Sequence, residues 1–130
     1  MNPYAALVVL GVTCLLLVTA FLVGRMRARH QIMAPAVSGH PMFERAYRVQ
    51  MNTLEQAVMF LPVFLLAVAF GRVGVACILG AVWLLARIAY IITYLREPRS
   101  RGPAFGLGML VFALLLLQAA WGIGGRLILG

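Results

Sequence analysis

Two stretches of this chain contain no charged residue for longer than any soluble helix of a small domain would. Pro3 to Gly24 runs 22 residues without a charge, and Gly102 to Gly125 runs 24. As helices rising about 1.5 Å per residue, each is long enough to cross a hydrocarbon core about 30 Å thick. The rest of the 130 residues agrees: 64% are hydrophobic, 11% are charged and the mean hydropathy is +1.00. The sequence predicts an all-α integral membrane protein, a single domain over residues 1–130.

Two further spans complete a four-helix bundle. The uncharged part of the second, Ala57 to Gly71, is 15 residues and too short by itself. It recruits the polar stretch upstream, starting near Pro41 or Met42. The expected helices are residues 3–24, 42–70, 73–95 and 103–127. Pro62 falls inside the second, where a kink is expected but tolerable within a membrane bundle. The first run does not read as a cleaved signal peptide, because its arginines (Arg25, Arg27 and Arg29) follow the apolar segment instead of preceding it.

Charge sets an expected orientation. All 11 basic residues are arginine, which suggests a GC-rich bacterial genome and an inner-membrane location. Arg25, Arg27, Arg29, Arg45 and Arg48 flank the first connection, and Arg96, Arg99 and Arg101 occupy the third, whereas the opposite side has Arg72 and Arg126. The positive-inside rule places loops one and three in the cytoplasm and both termini outside. The formal net charge of +8 is accounted for by these topological arginines, so no nucleic-acid partner is expected. Cys14 and Cys77 lie in apolar segments with no metal-ligand spacing, and no metal site is expected.

The chain has three acidic residues, and two of them sit in FERAYRVQMNTLEQ, residues 43–56, at the mouth of the second apolar run. On a helix, Arg45, Arg48, Asn52 and Glu55 fall within an arc of about 80°, with Gln56 at its edge. Arg87, Tyr90 and Tyr94 share a face of the third span in the same way. An ionised side chain facing lipid costs at least about 2.5 to 3.5 kcal/mol. These groups must therefore face the bundle interior, pair with one another or line a wet site. One reading is a structural ion-pair network, with Glu55 bound to Arg48 or Arg87. The other is a site for a small polar anion. The guanidinium fork takes carboxylates, Glu55 takes an ammonium, and Asn52 and the tyrosines supply neutral hydrogen bonds.

The residues of Phe43 to Pro62, FERxxRxQxNxxExxxxFxP, resemble the signature of the MAPEG family, the membrane-associated proteins in eicosanoid and glutathione metabolism. ARIAYIITYLREPRSRG, residues 86–102, is similar to that family's third-helix arginine, its paired tyrosines and the following arginine-bearing loop. The resemblance implies a homotrimer that binds glutathione between subunits near the cytoplasmic face. By position, Arg48, Asn52, Glu55, Tyr90, Tyr94 and Arg101 would contact the tripeptide from one subunit, with Glu55 on the γ-glutamyl amine. Arg27 and Gln50 would reach it from the neighbour. Arg101 would be catalytic, stabilising the thiolate that attacks a lipophilic electrophile or hydroperoxide arriving from the membrane lipids. Gln56, Ala28 and Met51 depart from the eicosanoid-forming branches, so the resemblance does not extend to their substrates.

The expected activity is that of a membrane-bound glutathione transferase or peroxidase serving detoxification. Two alternatives remain open. A non-catalytic lipid-binding protein of the same fold would keep the helices and lose glutathione. A small four-helix multidrug exporter would need a coupling carboxylate in the first span, which Pro3 to Gly24 does not contain.

Overall fold

The computed structural model describes residues 1–130. Four helices follow one another with short connections: α1 (Pro3–His30), α2 (Pro41–Phe70), α3 (Val73–Arg96) and α4 (Gly102–Leu129), the last preceded by a single 3-10 turn at Pro98–Arg101. All four are long and apolar enough to cross a membrane, and the chain is an integral membrane protein. There is no strand.

The first two helices start where their sequence provides a side-chain cap. Asn2 caps α1, its side-chain oxygen accepting from the Tyr4 and Ala5 amides at 2.9 and 3.4 Å, with Pro3 at the first helical position. His40 does the same for α2: Nδ1 accepts from the Met42 amide at 3.1 Å, Pro41 follows, and Glu44 lies in the first turn near the positive end of the dipole.

The end of α1 differs from the expectation. The helix does not stop at Gly24 but continues to His30, so Arg25, Arg27 and Arg29 are helical and not part of a loop. Arginine is a good helix former, and nothing between Gly24 and His30 breaks the pattern. Termination comes only at Gln31, which adopts φ 55°, with the Ile32 amide turned back to the Arg27 carbonyl at 3.0 Å. The first connection is therefore residues 31–40. The helix α2 continues through Pro62, which lies on its exposed side.

Within the bundle, α2 and α3 each pack on every other helix, while α1 and α4 lie apart on either side. The main core is aromatic. Phe60 stacks on Trp83 with centroids 4.0 Å apart and on Phe64 at 5.4 Å, all fully buried. Gly80 lets the helices approach: a Cβ there would lie 2.7 Å from the Phe64 ring and 2.9 Å from Val8. Away from the Arg101 end, the α2–α3 turn is held by α4. Gln118 donates to the Ala67 and Arg72 carbonyls at 3.3 and 3.1 Å, and Arg126 donates to that of Ala69 at 3.2 Å.

Candidate functional site

Between the first half of α2 and the last two turns of α3 lies a cleft of about 360 Å³, bounded also by the turn before α4 and the start of α4. That volume lies within the range of roughly 300 to 1,000 Å³ typical of small-molecule sites. From α2 the cleft is lined by Arg48, Met51, Asn52 and Glu55; from α3 by Tyr90 and Tyr94; from the turn and α4 by Arg101 and Phe105. The spacing explains the α2 set, since residues three and four apart lie above one another on one helical face.

Six of the eight residues singled out from sequence are thus brought together: Arg48, Asn52, Glu55, Tyr90, Tyr94 and Arg101. Arg27 and Gln50 do not line the cleft of their own chain. Arg27 donates from Nη1 to the Ala36 carbonyl at 2.7 Å, and its Cζ lies 4.8 Å from the Phe43 ring centroid, tying the first connection to the start of α2. Gln50 is half-buried on another side of α2. Arg45 also leaves the stripe. Its Nη1 donates to the Leu95 and Arg96 carbonyls at 3.3 and 3.4 Å, capping the end of α3 where free carbonyls and the negative dipole end favour a cation.

The aromatic and cationic groups interleave. The Arg87 Cζ lies 4.2 Å from the Tyr90 ring centroid, and the Arg101 Cζ lies 5.3 Å from that of Tyr94. The two tyrosine rings are 5.7 Å apart, and Phe105 closes on Tyr90 at 6.1 Å. Each arginine thus rests on the negative face of a tyrosine, which holds the rings without consuming their hydroxyls.

The ion pair between Glu55 and Arg87 does not form. Arg87 instead donates from Nη2 to Asn52 Oδ1 at 3.0 Å and Thr53 Oγ1 at 2.8 Å. Glu55 is exposed to the cleft, whose lining carries two guanidinium groups, those of Arg48 and Arg101, and this one carboxylate. The lining therefore complements a ligand with more carboxylate than ammonium. No cluster of three or more metal-ligating side chains occurs.

Sequence reasoning missed Phe105 as a wall of the cleft and Thr53 as a partner of Arg87. Phe105 had a signal: it lies four residues after Arg101, one turn along α4. Thr53 had none, because it is off the polar stripe and is made polar-paired only by the side chain that α3 delivers to it.

Fold and cleft together define a four-helix membrane protein with an arginine-rich polar site at one end of an apolar bundle. The MAPEG family model matches residues 5–121, and the chain belongs to the MAPEG family. An uncharacterized Synechocystis protein, sll1147, is 43% identical over 89% of this chain and 85% of its own. Microsomal glutathione S-transferase 2 of Mus musculus is 37% identical over 82% of this chain and 73% of its own length. Leukotriene C4 synthase of Cavia porcellus is 34% identical over 72% of this chain, a match spanning 63% of that enzyme.

Proposed function

We propose that the protein is a glutathione-dependent membrane enzyme that activates the glutathione thiol for attack on lipophilic substrates. The observation carrying this reading is the convergence of Arg48, Asn52, Glu55, Tyr90, Tyr94 and Arg101 on one cleft. The similarity to microsomal glutathione S-transferase 2 supports it. Glutathione presents two carboxylates, one ammonium and one thiol. The donor set fits that inventory: Glu55 receives the γ-glutamyl ammonium, Arg48 and Asn52 take carboxylate or carbonyl oxygens, and the tyrosine hydroxyls complete the hydrogen bonding.

Arg101 is the catalytic group. A free thiol has a pKa of about 8.5, and an adjacent guanidinium stabilises the thiolate. The thiolate sulfur then forms a bond to an electrophilic carbon as the leaving group departs with its electron pair. With a lipid hydroperoxide, it attacks the terminal oxygen instead. The O–O bond breaks, the alcohol leaves, and a second glutathione thiol converts the sulfenic acid to the disulfide with loss of water. Phe105 and Met51 supply apolar wall beside the polar groups, so a membrane-soluble partner meets the thiolate without full exposure to water.

In this reading the functional unit is a homotrimer, residues 1–130 form one membrane domain, and Arg27 and Gln50 complete the neighbouring subunit's site. Loops one and three face the cytoplasm of a bacterial inner membrane, where glutathione is available. Isothermal titration of the detergent-solubilised protein with reduced glutathione tests the binding. A chloronitrobenzene electrophile and a lipid hydroperoxide then separate transferase from peroxidase activity. Absence of glutathione binding would overturn the reading in favour of a lipid-binding protein of the same fold.

A further inference from the structure

Arg87 is 2% exposed, sits in a membrane-spanning helix, and has no carboxylate partner. Its Nε is enclosed with no acceptor at all. Buried, incompletely satisfied charge is costly, and an ionisable group inside a membrane bundle marks a working site more often than a structural one. Arg87 is nevertheless not a lining residue of the cleft. It reaches the cleft only through what it holds.

What it holds is the oxygen of Asn52. A guanidinium has donors and no acceptor, so the Asn52 atom 3.0 Å from Nη2 is the carbonyl oxygen, and the amide cannot be flipped without setting donor against donor. Thr53 Oγ1, fully buried, accepts from the same nitrogen at 2.8 Å and leaves it no freedom to swing away. The Tyr90 ring against the guanidinium fixes the remaining face. With its oxygen engaged, Asn52 has two N–H bonds left, on a residue that lines the cleft.

We propose that Arg87 is a positioning residue that locks the Asn52 amide with its NH2 group toward the cleft, so that the ligand must offer an acceptor there, a carboxylate or peptide carbonyl oxygen. Because Arg87 is occupied by Asn52 and Thr53, Glu55 stays unpaired for the ligand's ammonium. One buried cation thereby sets the polarity of two cleft groups: Asn52 becomes a donor and Glu55 remains the acceptor. This inference rests on the glutathione reading of the site.

The test is calorimetric titration of the full-length, detergent-solubilised protein with reduced glutathione, across the wild type, R87M, R87K, N52A, N52D and the double variant R87M/N52A. R87M and N52A should each weaken binding roughly ten- to a hundredfold, the effect of losing a charged or charge-set hydrogen bond. Because Arg87 acts through Asn52, the double variant should lose little more than the worse single. R87K should recover part of the affinity. R87M should raise the KM for glutathione and leave that for the electrophile unchanged, a split that general loosening of the bundle would not produce. N52D, which hands Arg87 an acid and removes the donor from the cleft, should bind more weakly than N52A.

Wild-type affinity in R87M, or losses that multiply in the double variant, would overturn the proposal while leaving the glutathione reading intact. If R87M does not fold, the Asn52 pair decides, and N52D binding as well as N52A overturns it. A wild type that does not bind glutathione overturns both.

Discussion

The guanidinium carbon of Arg101 stands 5.3 Å from the Tyr94 ring centroid, across the turn that joins α3 to α4. Arg101 is exposed and has no carboxylate partner, so its charge is directed by the ring and not neutralised by an acid. A cation held this way is suited to a developing thiolate. Arg101→Ala should shift the ultraviolet absorbance of bound glutathione thiolate to higher pH by about one unit or more. The sign follows because removing a positive charge destabilises the anion and raises the thiol pKa. Turnover near neutral pH should fall roughly tenfold for each unit of that rise, to the extent that rate follows thiolate fraction. An unchanged thiolate titration in this variant would remove Arg101 from the chemistry.

Glu55 makes a narrower prediction. It is the one carboxylate lining the cleft, and the buried Arg87 on the facing helix is engaged by Asn52 and Thr53. Glu55→Gln should weaken glutathione roughly tenfold to a hundredfold by removing a charged hydrogen-bond partner. A des-amino analogue of glutathione should bind the wild type and the variant alike, since it lacks the ammonium proposed as the partner of Glu55. Equal losses for both ligands would place Glu55 in a structural role.

Much of this arrangement was legible in the chain. Uncharged runs locate the first and fourth spans, and the period of Arg48, Asn52 and Glu55 on one side and of Tyr90 and Tyr94 on the other assigns the faces that meet. What the sequence left open are matters of pairing. Arg45 and Arg48 are one turn apart, yet Arg45 goes to the α3 carbonyls and Arg48 to the cleft. For Arg87 the sequence offers Glu55 as a partner, whereas the structure gives it Asn52 and Thr53. Helical period assigns a face and not a partner, because the partner depends on the depth at which the second helix crosses. The end of α1 was open for a related reason: hydropathy reports where the membrane stops, whereas a helix stops only where the backbone is capped, here at Gln31.

Farther along the bundle, Gly122 permits α4 to rest directly on the end of α2. A Cβ at this position would collide with the Phe70 carbonyl oxygen and crowd its carbon, both backbone atoms that cannot rotate away. Gly122→Val should force the two helices apart and loosen the bonds that Gln118 and Arg126 make to the Ala67 and Ala69 carbonyls. A destabilisation of about 1 to 3 kcal/mol is expected, as for overpacked cores, read as a lower thermal midpoint in detergent. Glutathione affinity of the folded fraction should be retained, because Gly122 touches none of the cleft residues. Loss of binding at a temperature where the variant is fully folded would show that the α2–α4 contact and the cleft are coupled.

Orientation is testable through the two connections that carry the arginines. The arginine side chains projecting from the last turns of α1 and from Pro98–Arg101 lie at the Arg101 end of the bundle, with the cleft. Arg72 and Arg126 are near the α2–α3 turn, where Arg126 donates to the Ala69 carbonyl. This asymmetry favours the cleft end on the cytoplasmic side. In a background with Cys14 and Cys77 replaced by alanine, Ser38→Cys and Ser100→Cys should react with a membrane-impermeant maleimide only after permeabilisation. Asn2→Cys should react in intact cells. Both serines are exposed and lie outside the four long helices, so their reactivity reports sidedness and not burial. The reverse pattern would invert the protein and place the cleft on the face away from cytoplasmic glutathione, and the proposed activity would then lose its supply of co-substrate.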